Sequence, residues 1–67
     1  MASTDNELTK RQRDILLLIR LGKTNKEVAQ DLGLSVNTVK THLKNLFGKL
    51  QVTNRTQATL KSEEYIH

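Results

Sequence analysis

Asn25-Lys26-Glu27-Val28-Ala29-Gln30-Asp31-Leu32-Gly33-Leu34-Ser35-Val36-Asn37-Thr38-Val39-Lys40 holds two helix signals with almost nothing between them. Thr24 stands just before the first helix, and Glu27 follows three residues later. That is the pairing of a capping box, in which the cap oxygen accepts a backbone N–H and the carboxylate reaches back to the N–H of the cap. Ser35 is the corresponding cap of the second helix. Only Gly33-Leu34-Ser35 joins the two, and Gly33 tolerates the positive φ that such an exit requires. Ala29 falls where helices joined so tightly must cross, and its small side chain lets them approach. Val28, Leu32, Leu34 and Val39 are the residues expected to pack beneath the corner. The stretch predicts a helix-turn-helix, with Ala29 and Gly33 as its structural turn residues.

The rest of the chain extends the same pattern. Thr9 with Gln12 opens a helix ahead of this corner, and Gly22 closes it after Leu21. Asn54 with Gln57 opens a fourth helix, expected to fray into a tail from Ser62 to His67. Proline is absent and no stretch alternates with period two, so the fold class is all-α with four helices. The third helix runs to about Leu50. Val36, Val39, Leu43, Leu46, Phe47 and Leu50 recur on it at helical spacing and are expected in the core. On the first helix Ile15, Leu16, Leu18 and Ile19 fill the inner face. Leu17 and Leu21 are left over, and the expectation is that they too join the core; the alternative is a docking surface for a regulatory domain.

A chain of 67 residues is one small domain, which buries only about 60% of its unfolded surface. It has no cysteine, so neither a disulfide nor a thiolate metal site is available. His42 and His67 are too few and too far apart for a metal site, and nothing calls for a cofactor. No apolar run approaches the roughly 20 residues that span a bilayer. The polar lead Met1-Ala2-Ser3-Thr4-Asp5-Asn6 does not resemble a secretory signal. Together these point to a soluble protein of the cytoplasm. Residues 1–7 read as a flexible lead, 8–62 as the folded domain and 63–67 as a tail.

The net charge of +4 is modest, but its distribution is uneven. Acidic residues (Asp5, Glu7, Asp14, Glu27, Asp31) roughly balance basic ones as far as Asp31. From Leu32 to Ser62 there is no acid, while Lys40, Lys44, Lys49, Arg55 and Lys61 are all positive. A stretch of one sign steers a polyanion. On the third helix Asn37, Lys40, Thr41, Lys44, Asn45 and Gly48 share the side opposite the apolar stripe. An ordinary solvated helix face mixes signs and pairs Glu with Lys; this one has no such pairs.

A series of blocks in order resembles the LuxR-type (GerE-type) helix-turn-helix domains of bacterial transcription regulators. They are Leu8-Thr9 with Arg13-Asp14-Ile15-Leu16, then Asn25-Lys26-Glu27-Val28-Ala29. Leu34-Ser35, Thr38-Val39-Lys40, His42-Leu43, Lys49-Leu50 and Val52 follow, and Asn54-Arg55-Thr56-Gln57-Ala58 closes the match. The resemblance covers most of the chain, from Leu8 to about Leu60. It implies a domain that binds double-stranded DNA as a homodimer through its fourth helix, with the third helix (about 36–50) as the recognition helix in the major groove. Most such domains follow a receiver or ligand-binding domain N-terminal to them and a few stand alone, and both readings stay open here; RNA polymerase is a further candidate partner. The fourth helix departs from the pattern: Thr59, Lys61 and Ser62-Glu63-Glu64 stand where relatives are more apolar.

Asn37, Lys40, Thr41 and Lys44 are the candidate base contacts. Lysine donates to guanine O6 and N7, and a threonine methyl packs on a thymine methyl. Thr24, Asn25 and Lys26 open the second helix, whose free N–H groups and positive dipole end suit a phosphate. Thr38, Asn45, Lys49, Asn54 and Arg55 are the remaining candidate phosphate contacts. Two other readings stay open. A promoter-reading module of a sigma factor shares the corner, and a protein-interaction module could use the basic helix on an acidic partner. Only the DNA modules should retard random duplex in a salt-dependent way. Catalysis has no foothold: no cysteine, no histidine beside a nucleophile and a carboxylate, and no glycine-rich phosphate loop.

Overall fold

The computed structural model describes residues 8–65, which form four helices: α1 (Lys10–Arg20), α2 (Asn25–Leu32), α3 (Val36–Leu50) and α4 (Arg55–Lys61). A 3-10 turn (Ser62–Glu64) follows α4. No strand occurs among the described residues. The expected all-α architecture and all four helix starts are therefore present. α2 packs most extensively on α3, and α1 lies across α3 and α4. The lead at residues 1–7 and the last two residues of the expected tail lie outside the described residues.

Each start is chemical. Thr9 Oγ1 accepts the Gln12 N–H at 3.1 Å while Gln12 Oε1 accepts the Thr9 N–H at 3.0 Å. Thr24 and Glu27 make the same reciprocal pair. Asn54 Oδ1 accepts the Gln57 N–H at 2.8 Å. Here the reciprocal half departs from expectation, because Gln57 Oε1 turns to the N–H and hydroxyl of Thr53 instead. The extended Asn54 (φ −150°) leaves Thr53 as the nearer donor.

The exits of α1 and α3 share one device, and α2 uses half of it. Lys23 N–H reaches Leu18 C=O while Gly22 N–H reaches Ile19 C=O, the paired bonds of a Schellman motif. Leu34 N–H returns to Ala29 C=O at 2.9 Å, and Val52 N–H to Phe47 C=O at 3.0 Å. Gly22 and Gly33 sit in the left-handed position at φ +83° and +69°; at the end of α3 that position is filled by Gln51 at φ +59°. A side chain there costs about 1–2 kcal/mol. Gly33→Val should therefore lower stability by about that amount through backbone strain alone, since nothing lies near its missing Cβ. Gln51→Gly should raise it by about 1 kcal/mol. Thermal melts of the two variants check the opposite signs.

The core is built from Ile15, Leu16, Val28, Val39, Leu46, Leu50 and Ala58, with Leu8, Ile19, Ala29 and Leu43 at its edge. Leu32, Leu34, Phe47 and Val52 pack against it partly buried. Three expectations are corrected. Val36, expected in the stripe, is 37% exposed. It is the first residue of α3, and a helical side chain covers the turn N-terminal to its own Cα, where no neighbour remains. Leu17 and Leu21, expected to join the core, are 39% and 73% exposed, because the inward arc of α1 is already taken. The segment after α4 does not fray at Ser62. Ser62 is fully buried, its Oγ donates to Thr59 C=O, and Tyr65 packs on the core.

Candidate nucleic-acid interface

Burial divides α3 cleanly. Val39, Leu43, Leu46 and Leu50 are buried, and Asn37, Lys40, Thr41, Lys44, Asn45 and Gly48 are exposed. The four candidate base contacts thus share one solvent-facing side of a helix whose other side is core. Among the described residues neither Lys40 nor Lys44 has an ion-pair partner; Lys10–Asp14 pairs within α1, and Lys23–Asp31 joins the α1–α2 turn to α2. Lys40 and Lys44 are one turn apart, about 6 Å along the axis at 1.5 Å per residue. Their ammonium groups are solvated, uncommitted donors on a rigid element.

The hydroxyls on this helix are partly committed. Thr41 Oγ1 donates to Asn37 C=O at 3.2 Å, which fixes its rotamer and so its methyl. Ser35 Oγ accepts the Thr38 N–H at 3.1 Å and donates to Thr38 Oγ1 at 2.8 Å. Thr38 thereby keeps its own hydroxyl proton for an acceptor outside the chain. Lys49, a partly buried residue, stands about 18 Å along the axis from Asn37, so the candidate contacts on α3 line its length instead of clustering.

The second group gathers at the start of α2. The Thr24 hydroxyl accepts the Glu27 N–H at 3.1 Å, leaving the N–H groups of Asn25 and Lys26 as the free donors of that turn. Arg55, at the first position of α4, reaches across: Nη1 donates to Asn25 Oδ1 at 2.7 Å and Nη2 to Lys23 C=O at 2.5 Å. Two candidate phosphate contacts distant in sequence are thus bonded to each other. The Asn25 amide is oriented with its oxygen toward Arg55, so its NH2 is left to donate elsewhere. The sequence treats Arg55 as a backbone contact alone. Its role as a tie between α4 and the α1–α2 turn carries no periodic or capping signal, because the partners are a distant amide and a main-chain carbonyl. Asn54 is exposed, and its Oδ1 is spent on the Gln57 N–H.

The Glu27 carboxyl is held below its ordinary value of 4.5, first by the Thr24 backbone N–H, then by the Thr24 side chain, with a lesser contribution from the Lys23 charge. A depressed carboxyl stabilises the fold above its unfolded pKa, and that contribution is lost as pH falls through the folded value. Glu27→Gln keeps an acceptor without titrating. The melting difference between wild type and this variant should therefore be constant near neutrality and shift against wild type below about pH 4.5. A difference that is flat down to pH 3 would remove Glu27 from the capping box.

The comparisons agree with this architecture. A family model described as "Bacterial regulatory proteins, luxR family" (GerE) matches residues 6–62. The transcriptional regulatory protein LiaR of Bacillus subtilis is 53% identical over 53 residues, 79% of this chain and 25% of that protein. The CsgBAC operon transcriptional regulatory protein of Escherichia coli is 57% identical over 51 residues, 76% of this chain and 24% of that protein. The response regulator protein VraR of Staphylococcus aureus is 47% identical over 53 residues, with 79% and 25% covered. The chain belongs to the luxR family of bacterial regulatory proteins. It is a DNA-binding helix-turn-helix domain of transcription regulation and not an enzyme. It spans about a quarter of the length of the curated relatives it matches. No helix among the described residues is long and apolar enough to cross a membrane.

Proposed function

We propose that this domain reads specific duplex DNA by laying α3 in the major groove. Asn37, Lys40, Thr41 and Lys44 meet base edges, and Thr24, Asn25, Lys26, Thr38, Asn45, Lys49, Asn54 and Arg55 hold the sugar-phosphate backbone. The observation that carries this is the solvent-facing, acid-free side of α3, where two lysines without an ion-pair partner among the described residues stand opposite a rigid buried stripe. A B-form major groove admits one helix, and lysine and asparagine recognise guanine and adenine edges there. Donors at the start of α2 then fix the register on the strand.

Each neutralised phosphate contributes about −0.9 to the slope of log K against log salt. Binding of duplex DNA by fluorescence anisotropy across salt concentrations should therefore show a steep fall. A flat response overturns the reading and favours the protein-interaction module. α4 is the proposed homodimer contact on DNA, supported by Leu60, which is 73% exposed on it. The name of VraR and the quarter-length match support an effector domain governed by a receiver or ligand-binding domain N-terminal to it. On that reading it works in the cytoplasm, with RNA polymerase as a further partner.

A further inference from the structure

The leucines that the core of α1 leaves out do not stand alone. Asp14, Leu17, Leu18 and Leu21 of α1 and its exit line an open groove with Asp31 and Leu32 at the end of α2. Asp14, Leu17 and Leu21 follow the i, i+3, i+7 spacing of one helix face, a strip about 10 Å long at 1.5 Å per residue. The floor is aliphatic, and among the described residues the charged ones that line the groove are both carboxylates. DNA does not fit it: phosphates would meet Asp14 and Asp31, and leucine side chains offer nothing to a sugar-phosphate backbone.

We propose that this groove is a docking site for a short amphipathic helix of a protein partner, carrying two aliphatic residues one turn apart with flanking Lys or Arg. A helix laid along a groove presents its anchors at i and i+4, about 6 Å apart, which matches the spacing of Leu17 and Leu21 within the strip. The flanking charge follows from the rim. Asp14 and Asp31 are paired with Lys10 and Lys23 at 3.7 and 3.6 Å, at the protein surface. Such exposed pairs are worth about 0–1 kcal/mol, so the carboxylates can exchange partners at little cost. A second copy of this chain is a poorer occupant, because a two-fold contact sets the same patch against itself and brings like carboxylates together. The groove is distinct from the DNA-reading face, and this inference does not rest on the proposed function.

The test titrates isotope-labelled protein with a synthetic helix of about three turns bearing two leucines four apart and flanking lysines. A twin with glutamates in place of the lysines is the control. Amide shifts are expected at Asp14, Leu17, Leu21 and Leu32 and not at Lys40 or Lys44. The glutamate twin should bind about tenfold more weakly or worse. Leu21→Ser and Asp31→Asn should each weaken the lysine peptide by a similar factor; because both side chains are exposed, the melting temperature checks that the fold is kept. Shifts confined to other faces, equal binding of the two peptides, or no binding at millimolar concentration would overturn the proposal. Concentration-dependent shifts of the same residues without peptide would assign the groove to self-association instead and overturn it equally.

Discussion

Lys44→Ala, and separately Lys40→Ala, is expected to weaken binding to the preferred duplex by about 1–3 kcal/mol and to relax base preference at one position. That corresponds to a loss of roughly fivefold to a hundred-and-fiftyfold in affinity. The melting temperature should not move, because both side chains are exposed and among the described residues neither has an ion-pair partner. Lys26→Ala provides the contrast. It removes an exposed charge at the start of α2, so it should weaken preferred and scrambled sequences alike and lessen the salt slope by about one unit. The measurement is affinity for a site selected from a random pool, and for its scramble, at two salt concentrations. If Lys26→Ala alters base preference while the α3 lysines do not, α3 is not the reader.

The distinction rests on what a helix can hold still. Lys40 and Lys44 project from a helix anchored by four buried residues over fifteen positions, so their stems start from fixed points facing one groove. The donors at the start of α2 include main-chain N–H groups, which fit a phosphate oxygen in any sequence. An unsatisfied buried polar side chain near either group would have suggested a further specific contact, but none occurs among the described residues.

Most of this was legible in the sequence because it is encoded locally. Three-residue cap spacings, glycines at helix exits and the 3.6-residue apolar period each involve neighbours along the chain. They placed all four helix starts and the division of α3 into two faces. The misses have a common physical origin in relations that local pattern does not carry. Val36 fits the period of its stripe, yet its exposure depends on where the neighbouring helix stops. Gln51 adopts a left-handed backbone that its residue type disfavours, held there by the bonds of the α3 exit. Ser62 reads as a polar tail residue but is buried, and the Thr59 carbonyl satisfies its hydroxyl there. Leu17 and Leu21 look like core by composition, and only the packing of α1 shows that the core is already full.

Arg55 is the clearest of these, and its removal should cost the fold more than removal of Lys40 or Lys44. Hydrogen bonds to a charged donor are worth about 1.5–3 kcal/mol each. Since both acceptors of Arg55 can turn to water once it is gone, a net loss of about 2 kcal/mol is expected for Arg55→Ala. In a domain of this size that lowers the melting temperature by roughly 8–16 °C. Arg55→Lys keeps the charge but cannot present two N–H groups in a fork to Asn25 Oδ1 and Lys23 C=O, so it should recover only part of the loss. Asn25→Ala combined with Arg55→Ala should cost less than the sum of the single changes, since each alone already breaks the shared bond. Were Arg55 only a phosphate contact, both variants would melt with the wild type, Asn25 and Arg55 would act additively, and the salt slope alone would change. A melting temperature unmoved by Arg55→Ala would detach α4 from the α1–α2 turn and with it the claim that Arg55 holds Asn25 in place for the strand.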